Sequence, residues 1–198
     1  MLFLILFLLF LPFFICGVGA VVYATILYNE LVRLRNDTDR AWANIDVLLK
    51  QRHDEIPNLV ETVKGYMEHE KETLESVTQA RVQSMKAVSI GEKAQADALT
   101  TLALQNLFTV AENYPQLKAN ENFLRLQNRI SELEERIADR REYFNDDVCT
   151  YNTRLRQMPE AFIASCLALK PRELFRVADA DRAVVQADLS KLQQPAAG

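Results

Sequence analysis

The sequence is short of the parts from which most catalytic centres are built. Its 198 residues include two histidines, His53 and His69, too few for a histidine metal cage and a thin basis for a triad. His69 and Glu70 open a helical zinc-protease pattern, but Thr73 stands where the second histidine belongs. The Glu-x-x-His step of di-metal bundles is absent too, because Lys50 and Tyr66 precede the histidines by three. Five glycines leave no phosphate-cradling loop: Gly17 and Gly19 fall in an apolar run, and Gly91 has no glycine neighbour. Three cysteines, Cys16, Cys149 and Cys166, form no CxxC pair and read as reduced thiols buried as small apolar residues. The chain carries 27 acidic against 23 basic residues, a net charge of −4, which argues against a nucleic-acid surface or a polybasic lipid-binding patch. No catalytic, cofactor-binding or metal-ligating residue is assigned, and the chain is expected not to be an enzyme.

What is present begins at once. Residues 1–28, MLFLILFLLFLPFFICGVGAVVYATILY, contain no Asp, Glu, Lys or Arg. As a helix this run is roughly 42 Å long, more than the ~30 Å hydrocarbon core of a bilayer. A cleaved secretory signal would show a basic start and a small-x-small cut site, and neither is found. The run is therefore expected to stay as a transmembrane anchor. Arg33, Arg35 and Arg40 flank only its C-terminal end, which predicts an N-terminus outside and the following domain in the cytoplasm. Cys16, Ala20 and Ala24 line up at helical spacing, ordinary apolar filler more readily than a helix-packing stripe.

Beyond Tyr28 the pattern is helical throughout. Leu31, Leu34, Thr38, Ala41, Trp42, Ile45, Leu48 and Leu49 recur on one face, and no Gly or Pro separates them from the apolar run. Pro57 is expected to end this helix, with Asp54 as cap of the next; a kinked continuous helix is the competing reading. A second stripe follows as Val60, Val63, Met67, Leu74, Val77, Met85 and Val88, closed by Gly91. A third helix through Ala96, Leu99, Leu102, Ala103, Asn106, Leu107, Val110 and Tyr114 is expected to end at Pro115. The fourth runs through Phe123, Leu126, Ile130, Leu133, Ile137, Phe144, Val148, Tyr151 and Leu155 with interleaved Arg and Glu outside. The fold class is all-α: a transmembrane helix at 1–28 continuing into an antiparallel four-helix bundle at 29–157. A short apolar helix at 158–178 packs on the bundle or the membrane interface, and 179–198 is a weakly ordered polar tail.

These stretches resemble the LemA family of bacterial membrane proteins. The resemblance is carried by YNELVRLRN at 28–36, AWANIDVLLKQRHDEIPNLVETVKGYMEHEKETLESVTQAR at 41–81, AENYPQLKANENFLRLQNRISELEERIADRREYFNDDV at 111–148 and YNTRLRQMPEAFIA at 151–164. Two departures are local: Arg52, His53, Asp54 and Glu55 replace the family's usual run before IPNL, and Ala168 and Leu169 stand where it usually has Gly-Phe. The resemblance implies one N-terminal anchor and a four-helix bundle, brings no catalytic residue, and through a branch associated with magnetosome membranes favours a structural role.

Polar residues in unexpected places are the remaining candidates. Glu70, Arg81 and Arg141 lie on or near apolar seams and would fix register by pairing across helices. Tyr114, Pro115, Lys118, Asn120, Glu121 and Asn122 form a polar turn; Asn44, Asn145 and Asn152 are expected to bond locally, and Trp42 to be core. The expected function is a noncatalytic scaffold that self-associates or docks partners at the membrane, with membrane lipid and a second copy of the chain as partners. The alternative is a membrane-tethered sensor or signalling adaptor.

Overall fold

A computed structural model describes residues 2–176, and the expected tail at 179–198 lies outside the described residues, as do 177 and 178. Six helices follow in order: α1 Leu2–Lys64, α2 Lys71–Lys86, α3 Ile90–Ala111, α4 Pro115–Lys118, α5 Glu121–Arg154 and α6 Glu160–Cys166. The all-α reading with one long apolar N-terminal helix holds, and no strand occurs among the described residues.

Pro57 does not end the first helix. It lies on the exposed side of α1, which continues seven residues further to Lys64. A proline there removes the N–H that would bond to the His53 carbonyl. Arg81 of α2 fills the vacancy, its Nε donating to His53 O at 3.0 Å. The true break is the turn at 65–70, which Met67 pins by burying completely. Gly91 is likewise no terminus. It falls in the first turn of α3, which opens with a reciprocal cap: Ser89 Oγ accepts from Glu92 N at 3.2 Å, and Glu92 Oε2 accepts from Ser89 N at 2.9 Å. Met85, in the last turn of α2, and Val88, beyond its end, both expected on a seam, are 65% and 85% exposed. α3 stops at Ala111, and Pro115 starts the single turn α4 instead of ending α3. Cys149 and Cys166 are exposed, not buried.

The chain divides into two compact units. The first joins α1 as far as Arg40 to residues Asp146–Arg172. Leu31, Tyr151, Leu155 and Ala164 form its core, with Leu34, Ile163 and Leu169 packed around them. Asn152 clasps an extended backbone 20 residues on, donating to Arg172 O at 2.9 Å and accepting from Arg172 N at 2.8 Å. The second unit holds Ala41–Asn145 and the described residues from Glu173. Its core brings together Ile56, Leu59 and Val63 of α1, Val77 of α2, Leu104 and Leu107 of α3, and Phe123 and Ile130 of α5. Trp42, half-buried, packs its ring on Phe144 and Phe175 at centroid distances of 5.5 and 5.7 Å. Here Asn145 holds Phe175 as Asn152 holds Arg172, so both asparagines bond far along the chain, not locally as expected.

Candidate functional site

The second unit contains a polar cluster inside its apolar core. Arg52 follows Leu48 and precedes Ile56 at four-residue spacing, so helical geometry drives its side chain inward with theirs. Only 1% of that side chain is exposed. Its NH2 group meets Asp97 Oδ1 of α3 at 2.6 Å, and NH1 donates to Thr101 at 3.1 Å and faces Glu134 Oε1 of α5 at 3.6 Å. One cation thus answers two carboxylates. Burial pushes the Glu134 carboxyl up, and the Arg52 charge and a hydrogen bond with Thr101 oppose that without cancelling it.

His53 occupies the next position of α1. Burial, then the charges of Arg52 and Arg81, lower its pKa from 6.5 to about 4, so the ring is neutral at pH 7. Its Nε2, Arg52 Nε and Glu134 Oε1 are buried without hydrogen-bond partners among the described residues. A cavity of about 170 Å³ adjoins it, lined in part by Asp46, Lys50, His53, Ser84, Lys93 and Asp97. Its charges are mostly spoken for: Lys93 pairs with Asp46, and Asp97 with Arg52. Ser84 Oγ shares a hydrogen with Thr100 at 3.0 Å and lies 3.4 Å from Ala96 O. No bond joins His53 to Ser84 among the described residues, and no group of three or more His, Cys, Asp or Glu there is arranged to hold a metal ion. The arrangement can hold charge and fix the register of α1, α3 and α5.

Of the residues singled out from sequence, Arg81 alone reaches this cluster. Glu70 accepts from Tyr114 OH at 3.0 Å, Arg81 bonds the His53 backbone, and Arg141 is exposed. In the polar turn, Asn120 caps α5 by accepting from Asn122 N and Phe123 N at 2.9 and 3.1 Å. His69 is exposed in the 65–70 turn, while Thr73 is buried. Arg52, Asp97 and Glu134 were the residues sequence reasoning missed. The signal was available, since each keeps helical spacing with its helix's buried positions: Leu48 and Ile56, Thr100 and Leu104, Ile130 and Ile137.

A second feature belongs to the first unit. Every described side chain from Leu9 to Ile26 is exposed, and burial begins at Leu27. The helix carrying them is long and apolar enough to cross a membrane.

The model of the LemA family matches residues 41–188. The magnetosome protein MamQ of Magnetospirillum gryphiswaldense is 27% identical over 174 residues, 75% of this chain and 64% of that protein. MamQ 2 of Paramagnetospirillum magneticum is 29% identical over 181 residues, 77% of this chain and 66% of its own length. The chain thus spans just under two-thirds of these MamQ proteins. Protein LemA of Metamycoplasma hominis is 27% identical over 190 residues, covering 93% of this chain and 84% of that protein.

Proposed function

We propose that this chain, which belongs to the LemA family, is a noncatalytic scaffold anchored in a membrane by residues 1–28, where it self-associates or docks partner proteins. The observation that carries the reading is the uncovered apolar surface of α1. Twelve large apolar or aromatic side chains between Phe7 and Ile26 are 41–74% exposed. Leaving them in water would forfeit roughly 1–2 kcal/mol each, a sum comparable to the whole ~5–15 kcal/mol stability of a domain. Lipid removes that cost. Relatives named as magnetosome proteins agree with a structural role at a membrane. The polar cluster supports the noncatalytic part, because its main charges face one another, Arg52 against Asp97 and Glu134.

On this reading the anchor lies in a bacterial inner membrane with the N-terminus outside and the rest cytoplasmic, the side that Arg33, Arg35 and Arg40 favour. The test is crosslinking of the full-length protein in native lipid, followed by mass analysis. Discrete multiples of the chain or reproducible partner adducts are expected. A strict monomer that recovers no partner overturns the scaffold.

A further inference from the structure

Outside α1, the first unit leaves three large apolar side chains uncovered: Met158 is 77% exposed, Phe162 67% and Leu167 45%. They lie on α6 or next to it. α6 turns Glu160 and Ala164 inward, and at about 100° per residue Phe162 projects about 160° away from both.

Where α6 packs along α1 decides what this face meets. Ile163 and Ala164 belong to the core built on Leu31 and Leu34. The side chains of α1 become covered by protein at Leu27, where the charge-free run is about to end. Leu31 lies three residues beyond Tyr28, about 4.5 Å along a helix. Headgroups add roughly 5–7 Å on each side of the hydrocarbon core, so whatever packs on Leu31 is at headgroup depth. Val21, Val22 and Ile26, all more than half exposed, hold the boundary there, because withdrawing them from hydrocarbon would wet them. Local charge suits that depth. Between Arg154 and Arg172 the chain has four basic residues and one acidic, against a net charge of −4 for the whole. Arg154 and Arg172 are paired with Glu160 and Asp39. Arg156 and Lys170 are exposed and have no ion-pair partner among the described residues.

We propose that Met158, Phe162 and Leu167 insert into the interface of the same leaflet from which α1 emerges, with Arg156 and Lys170 on the phosphates of anionic lipid. This deepens the anchoring reading and rests on it. The first unit then touches the bilayer at two places, the spanning helix and the outer face of α6, which fixes its rotation about the span.

The full-length protein with Cys16→Ala and Cys149→Ser keeps Cys166 as its sole thiol, one turn from Phe162. That thiol is coupled to an environment-sensitive fluorophore, and the protein is reconstituted in phosphatidylcholine vesicles containing a quarter phosphatidylglycerol. Blue-shifted emission, quenching by bromine-labelled acyl chains and protection from aqueous iodide are expected, all weakened by Arg156→Glu with Lys170→Glu. Emission and iodide quenching equal to those of the fluorophore on free cysteine overturn the inference. So does protection that is lost on dilution in lipid and indifferent to brominated chains, which would mean that a second copy covers the face. Alkaline carbonate separates the two readings: protein retained in the vesicles with a water-exposed label sinks only the α6 contact, while protein released from them sinks the anchor as well.

Discussion

Arg52 is the residue on which the second unit's interior depends, because removing it strands two carboxylates. Breaking a buried pair from one side costs about 3–5 kcal/mol, whereas replacing both partners by apolar groups is often near neutral. Arg52→Met should therefore lower the unfolding temperature of the full-length protein in detergent by roughly 10 °C, and Arg52→Met with Asp97→Leu should recover most of it. Equal losses in the single and double variants would mean that the pair is not coupled. His53 makes stability depend on pH. Its proton is bound at about pH 4 in the folded chain and at 6.5 when unfolded, so between those values the unfolded chain takes the proton more readily. Stability is full above pH 6.5 and is lost as pH falls toward 4. Glu134 works against this, because its raised pKa favours the folded state at acid pH and the benefit fades as pH rises through the carboxylate range. His53→Gln should flatten the decline in unfolding temperature below neutrality; an unchanged slope would assign it to other groups. Ala168 is a third single-residue case. Its φ is 50° where α6 ends, and Leu169 N reaches back to Ala164 O at 3.0 Å, a left-handed cap that favours glycine. Ala168→Gly should raise stability by about 1 kcal/mol, read as a rise of roughly 2–4 °C in the unfolding temperature.

At the scale of the helix, Pro57 and Arg81 form one device. The carbonyl that proline orphans is satisfied from a neighbouring helix, so each residue's effect depends on the other. Arg81→Met should cost about 1–2 kcal/mol by leaving His53 O buried without a donor. With Pro57→Ala the backbone supplies its own N–H, and the same change should then cost much less, which a double-mutant cycle measures. Additive effects would show that the carbonyl finds another partner. The pairing also explains what could be read in advance and what could not. The stripes of α1 and α5 were legible, down to Ile45, Phe144 and Tyr151, because a long amphipathic helix repeats its signal over many turns. The breaks were not. A local rule assigns the interruption to Pro57, but the lost hydrogen bond is repaired by a residue 24 positions away from it. Gly91 misled in the same way, although Ser89 and Glu92 spelled the cap of α3. The candidate site escaped because the polar residues chosen were those that interrupted the drawn seams. Arg52 and Asp97 lie on seams that were drawn too narrowly, since α3 is buried on more than one face.

For the whole molecule, the distribution of charge states the argument. All 50 formally charged side chains follow residue 28, and none precedes it. What bears on orientation is the cationic flank, Arg33, Arg35 and Arg40, which favours keeping the residues after the apolar run on the cytoplasmic side. The protein supplies its own reporter, because Cys149 lies on α5 with its thiol exposed. In full-length protein carrying Cys16→Ala and Cys166→Ser, a membrane-impermeant maleimide should leave Cys149 unmodified in intact spheroplasts and label it in inverted membrane vesicles. Labelling in spheroplasts would reverse the orientation while leaving the anchor in place. Labelling in the soluble fraction after gentle lysis would remove the anchor itself. The orientation decides which compartment a scaffold of this kind serves: with the charged part inside, every partner it docks must come from the cytoplasm or from the inner leaflet.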